Sequence, residues 1–229
     1  MRDIVLLPGF MCDETLWADM RPGLDALGTL HFGDVCRDAT LEGMARRVLA
    51  AAPPRFVLVG FSMGGFVARI AALLEPDRVA GLAFVASSAR GYSDAENARK
   101  QQRMGASRGP AKPGEQTAAL SLHPDRERDP VLVGRLRSMA RNLGPEVRAR
   151  QLALIRRDGY ADLERVACPA LVVACSHDRA RSLEETRQMV DHLPDARFEL
   201  LADCGHMAPL ERPAELTAIL ANWIAGAGL

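Results

Sequence analysis

Residues 56–65 read Phe56-Val57-Leu58-Val59-Gly60-Phe61-Ser62-Met63-Gly64-Gly65. An unbroken apolar run passes into Gly-x-Ser-x-Gly, and the segment from Phe66 to Glu75 then reads as helix. Strand, tight turn, helix is the context in which this motif forms a nucleophile elbow. Such a turn strains the serine backbone, so the positions two residues away on either side must be nearly free of side chain, and glycine occupies both. A serine held this way stands at the tip of a strand with its hydroxyl open to a ligand. The N–H of Met63 opens the helix beside it, where developing negative charge is favoured. A glycine-rich turn with a bystander serine is the competing reading, and it leaves the flanking strand and helix to coincidence. Ser62 is therefore the candidate nucleophile.

Outward from the elbow, strands and helices alternate. Ile4 to Leu7 reads as a buried strand ended by Pro8-Gly9-Phe10, and a helix-like segment follows with Trp17, Met20, Leu24 and Leu27 at helical spacing. Thr29 to Phe32 reads as a short strand, and Leu41 to Ala52 as a helix stopped by Pro53-Pro54. Beyond the elbow helix, Val79 to Ala86 is a continuous apolar strand of the kind buried on both faces. The pattern resumes late in the chain with a strand at Ala170 to Ala174 and a helix from Leu183 to His192. A strand at Arg197 to Leu201 and a last helix from Pro213 to Ala225 complete it. This order predicts an α/β fold with a doubly wound, mostly parallel sheet of about six strands.

Between Ser87 and Tyr160 the strand-like runs vanish. Arg-rich helical stretches are broken there by Gly109-Pro110, Pro113-Gly114, His123-Pro124 and Gly144-Pro145. A helical insertion between two sheet strands, at the edge where active-site loops emerge, reads as a cap. The expected division is a core of residues 1–87 and 160–229 with a cap of residues 88–159.

A serine hydroxyl needs a positioned base, and that base needs a group to orient it. Of the five histidines, His31 lies in the early strand region, His123 in the cap and His192 at the end of a surface helix, while His177 adjoins Asp178. Only His206, in Asp203-Cys204-Gly205-His206-Met207, combines a loop after the final strand with the chain order serine, acid, histidine. The acid is expected after the preceding strand, where Ser176-His177-Asp178 stands; a helix-capping role competes for Asp178. Asp203 is too near His206 in sequence to approach its ring from behind, and Asp94 is the other conceivable acid. A second oxyanion donor besides the Met63 N–H is expected from Phe10, because Gly9 permits close backbone approach; an ordinary Pro-Gly turn is the alternative.

The whole-chain properties are those of one domain with room for an insertion: 229 residues, 48% hydrophobic, 25% charged, net charge zero. No charge bias points to nucleic acid, and no apolar run reaches the ~18 residues that a membrane span requires. Met1-Arg2-Asp3 leads straight into a strand, with no leader readable. Cys12, Cys36, Cys168, Cys175 and Cys204 form neither Cys-x-x-Cys nor a zinc pattern, so free thiols in a reducing cytoplasm and no metal are expected. Residues 88–160 hold fifteen Arg and Lys against eight Asp and Glu, a local excess of seven positive charges. Solvated helix faces explain such an excess, and so does a cleft that attracts an anionic substrate.

With these residues in view, the sequence resembles the α/β-hydrolase superfamily in its small single-domain esterase-like branch. The resemblance covers essentially the whole chain. It is carried by Leu6-Leu7-Pro8-Gly9-Phe10, the Ser62 elbow, Asp178 after a strand, and Gly205-His206-Met207-Ala208-Pro209-Leu210-Glu211-Arg212-Pro213. It implies hydrolysis of an ester-like bond through an acyl-enzyme, without cofactor. Thioester, lactone or C–C hydrolysis, or transfer to another acceptor, would use the same triad. A receptor that uses the pocket for binding alone is the alternative of another class. Where the family usually has His-Gly this chain has Pro8-Gly9, and the family's first two strands have no counterpart, so six strands are expected instead of eight. A serine in place of aspartate argues against the dehalogenase and epoxide-hydrolase branches.

Overall fold

A computed structural model of the protein describes residues 2–93, 95, 96, 98 and 121–229. Six strands, β1 (Asp3–Leu7), β2 (Thr29–Phe32), β3 (Phe56–Phe61), β4 (Val79–Val85), β5 (Ala170–Cys175) and β6 (Ala196–Leu201), form one sheet in the order β2-β1-β3-β4-β5-β6. Every pairing is parallel. The expected doubly wound sheet of six strands is thus present. All residues of β3 and β5 are buried, which requires cover on both faces and explains why these runs carry no polar alternation.

Successive side chains on the central strands feed two separate cores. Ile4, Leu6, Val57 and Val59 pack on one face with Leu24 of α1 (Arg21–Asp25). On the other face, Val5, Leu7 and Leu58 pack with Met44 of α2 (Leu41–Ala51) and Val67 of α3 (Met63–Leu74). The chain runs from β1 outward to β2, then returns to the far side of β1 as β3. The loops after β1 and β3 therefore diverge at a switch point, where open parallel sheets form their ligand crevice.

Between β4 and β5 the described residues hold no strand. They include a 3₁₀ turn at Pro124–Arg126, the long helix α4 (Pro130–Ala153) and the one-turn α5 (Tyr160–Leu163). The break expected at Gly144-Pro145 is a kink: Gly144 takes φ 77°, and helical structure resumes beyond it. Gly109-Pro110, Pro113-Gly114 and Asp94 lie outside the described residues.

After β5 come α6 (Leu183–His192), β6, the one-turn α7 (Ala208–Glu211) and α8 (Pro213–Gly226). The single helix expected around Trp17 to Leu27 is instead a 3₁₀ turn at Glu14–Trp17 followed by α1. Pro22 lacks the N–H that a continuous helix would use at that place. Among the described residues no helix is long and apolar enough to cross a membrane. All five cysteines are free.

Candidate active site

Among the described residues, four other than glycine adopt positive φ: Met11 (53°), Ser62 (50°), Ala86 (46°) and Asp203 (47°). Each follows the C-terminal end of a strand, so backbone strain is concentrated at one edge of the sheet. Ser62 shows how it is sustained. Its N–H donates to the Val85 carbonyl (2.9 Å), and its carbonyl accepts from the Gly65 N–H (3.0 Å) and the Ser87 hydroxyl (2.8 Å). The flanking glycines are required by contact as well as by conformation. A Cβ on Gly60 would lie 2.6 Å from the Gly64 carbonyl oxygen, and one on Gly64 would lie 2.5 Å from that of Leu7.

The ends of β5 and β6 deliver the partners. His206 Nε2 lies 2.8 Å from the Ser62 hydroxyl, and His206 Nδ1 lies 2.7 Å from Asp178 Oδ2. A carboxylate can only accept, so Nδ1 carries the proton and Nε2 is left to receive the serine's. The other oxygen of Asp178 accepts from the N–H groups of Ala180 (2.7 Å) and Arg181 (2.9 Å). Helix capping, the competing role for Asp178, belongs to Ser182, whose side chain accepts from the Glu185 N–H. The loops of the two residues are tied directly, the His177 N–H donating to the Cys204 carbonyl at 2.8 Å. Ser62 and His206 are both buried, and the Asp178 side chain is 2% exposed.

The other candidates fall elsewhere. Asp203 pairs with His123, Arg126 and Arg212, away from the imidazole of His206. His31 pairs with Asp3 and His192 with Glu164; His177 meets Ser176 and stacks edge-on against His123. Phe10 sits in the loop after β1, which lies on the elbow: a Cβ on Gly9 would be 2.8 Å from the Phe61 ring and 3.3 Å from the Ser62 Cβ. Met63 is the first residue of α3, where an N–H has no helical acceptor behind it. The same edge of the sheet therefore gathers all five candidate residues, Phe10, Ser62, Met63, Asp178 and His206.

Two supporting residues gave no signal in the sequence. Ser87, beyond β4, fixes the elbow carbonyl. Glu211 has a fully buried side chain that accepts from the N–H groups of His123 (2.8 Å) and Met207 (3.2 Å) and from Arg126 Nε (3.1 Å). It fastens the His206 loop to the segment between β4 and β5. The thiols nearby are poor nucleophiles. Cys175 is held well above its ordinary range by the Cys204 thiol and by burial, and burial pushes Cys12 up to about 12. Among the described residues no three His, Cys, Asp or Glu side chains group to hold a metal ion.

Parallel strands that end in a strained serine, faced by histidine and aspartate from the last two strand ends, define an α/β fold of the elbow-serine type. The model of the alpha/beta hydrolase family matches residues 4–219, nearly the full chain, and the chain belongs to that family. It is similar to the pimeloyl-[acyl-carrier protein] methyl ester esterase of Edwardsiella ictaluri, at 42% identity over 95 residues, which span 38% of this chain and 37% of that protein. The chain thus matches well under half the length of that relative. The enzyme of the same name from Aromatoleum aromaticum is 26% identical over 246 residues, covering 98% of each chain. Among solved structures, a thermophilic esterase from Thermogutta terrifontis with malate bound superposes with a TM-score of 0.87 at 26% identity, over 99% of this chain and 90% of that one. The enol-lactonase of Burkholderia xenovorans, at 21% identity and a TM-score of 0.84 over 98% and 91% of the chains, shares the fold.

Proposed function

We propose that the protein is a serine hydrolase that cleaves an ester-like bond through an acyl-enzyme. The observation that carries this reading is the unbroken chain of hydrogen bonds from Asp178 through His206 to Ser62. Ser62 Oγ attacks the carbonyl carbon while its proton passes to His206 Nε2, and Asp178 stabilises the imidazolium so formed. The N–H groups of Phe10 and Met63 receive the oxyanion; loss of one such donor typically costs about 100- to 1000-fold in rate. The imidazolium then protonates the departing alcohol, and water, deprotonated by the same imidazole, releases the acid from Ser62. Residues 88–159 act as a cap over this site. The bond from the Met207 N–H to the Ser121 carbonyl (3.1 Å) and the contacts of Glu211 support that arrangement.

The names of the relatives support a methyl ester on a pimeloyl chain carried by an acyl-carrier protein, and so a small alcohol as leaving group. The positive excess of residues 88–160 supports a substrate that carries negative charge. No nucleic acid is assigned as a partner. The free thiols support a reducing compartment, the cytoplasm. A fluorophosphonate probe combined with a panel of methyl and nitrophenyl esters tests the reading. Labelling at Ser62 together with ester turnover is expected. Labelling without ester turnover would redirect the search to thioesters, lactones or another acceptor, and the absence of both would favour a receptor.

A further inference from the structure

The loop after β1 is a tight turn in which the Cys12 N–H donates to the Gly9 carbonyl at 3.2 Å. Phe10 and Met11 are its central residues, and Met11 takes φ 53°, a conformation usually left to glycine or asparagine. The Met11 N–H does not face solvent or the sheet. It donates at 2.9 Å to Oε1 of Gln151, a residue 140 positions away in the last turn of α4. Gln151 is 2% exposed, and its Nε2 donates to the Val35 carbonyl, after β2, at 3.3 Å. The orientation of the amide is fixed by its partners, because an N–H can only donate and a carbonyl can only accept. Its neighbour Arg150 reinforces the anchor by donating to the Cys36 carbonyl. One buried amide from the segment between β4 and β5 thus holds the loops after β1 and β2 together.

We propose that Gln151 is a positioning residue for the oxyanion site, acting through the Met11 N–H on the peptide plane next to the Phe10 N–H. The inference rests on the hydrolase reading given above, and it makes that donor's alignment depend on the seating of the helical segment. Without the Gln151 acceptor, the strained turn has no partner for a buried N–H and relaxes toward negative φ at Met11, which turns the Phe10 N–H away from the position of the oxyanion. Substrate binding before the attack would be spared, because the ground-state carbonyl makes little use of that donor.

The test compares wild type with Gln151→Met, which keeps the bulk and removes both hydrogen bonds. Three quantities are read: kcat, KM, and the affinity of a trifluoromethyl ketone analogue of the ester. That ketone adds the Ser62 oxygen to its carbonyl carbon, passes the serine proton to His206, and leaves an oxyanion in the site. Expected are a kcat lower by about 10- to 100-fold, a ketone affinity lower by a similar factor, and a KM within about threefold of wild type. Fluorophosphonate labelling of Ser62 should persist. If Gln151→Met does not fold, Gln151→Asn is measured instead; it keeps a buried amide but is too short to span both partners, and the same pattern is expected. Wild-type kcat and ketone affinity in the folded variant overturn the proposal, as does a loss confined to KM. A wild-type protein that neither turns over esters nor binds the ketone overturns the hydrolase reading itself, and this inference falls with it.

Discussion

At the scale of single residues, the two oxygens of Asp178 have separate partners: one faces His206, the other closes the turn through Ala180 and Arg181. This division makes Asp178→Asn informative. The amide oxygen of the variant would stay with the turn, so its NH₂ group would face Nδ1 and force that nitrogen to accept. The imidazole proton would then sit on Nε2, where it cannot receive the serine's. Turnover is expected to fall about 10⁴-fold, the loss known for the same change in serine proteases, with an unchanged melting temperature. Ser62→Ala is expected to lose about 10⁶-fold in kcat, also without loss of stability. Kinetics of both variants beside thermal melting check the assignment, and near-wild-type turnover in either would overturn it.

At the scale of elements, the helix α3 lies so close to β1 and β3 that Gly64 in its first turn has no room for a side chain, nor has Gly60 at the end of β3. Gly60→Ala would drive a methyl group to 2.6 Å from a backbone oxygen that cannot move without dismantling the elbow. A loss of about 2–3 kcal/mol, or failure to fold, is expected. Gly134 is the contrast. It lies inside α4 with none of the described residues within 4 Å of its would-be Cβ, so Gly134→Ala is expected to stabilise by up to about 1 kcal/mol. Denaturant titration of the two variants separates a glycine required by packing from one that is merely tolerated.

At the scale of the molecule, the seam between the His206 loop and the segment ahead of α4 carries a buried histidine. Burial lowers the pKa of His123, with the charges of His177 and Arg126 adding to the effect, while Asp125 and Glu211 oppose it and an Asp203 carboxylate oxygen lies 3.2 Å from Nε2 of the ring. A folded pKa below the unfolded one means that the unfolded chain binds more protons. Stability is therefore full above about pH 6.5 and is lost as pH falls from there toward the folded pKa. The melting temperature should decline over that window, and His123→Gln should flatten the decline; parallel curves for the two proteins would remove His123 from the account. The charge of the same segment makes a second prediction. Arg90, Arg126 and Arg135 are paired with carboxylates, while Arg99, Lys100 and Arg103 lie outside the described residues. If unpaired cations face the cleft, kcat/KM for an anionic ester exceeds that for its neutral isostere at low salt. The advantage should shrink as ionic strength approaches about 0.15 M, where the screening length is near 8 Å. Equal values at low salt would leave the basic residues as solvated helix faces.

The sequence by itself determined the sheet and the identity of the candidate triad. Apolar runs covered on both faces leave few alternatives to parallel strands, and Gly60-x-Ser62-x-Gly64 between strand and helix leaves one serine that can stand at a strand tip. Asp178 and His206 followed because parallel strands place the loops that follow them at one edge. The one-turn α5 and α7 escaped because four residues show no period, and the break between Trp17 and Arg21 escaped because hydrophobic spacing continued across it. Only the tertiary structure decided which groups hold the site in shape. Glu211 and Gln151 are polar residues in helical stretches, and nothing in their spacing separates them from solvated neighbours. What distinguishes them is burial against backbone N–H groups 88 and 140 positions away, and a pairing of that range is fixed by how the whole chain packs, not by any local pattern.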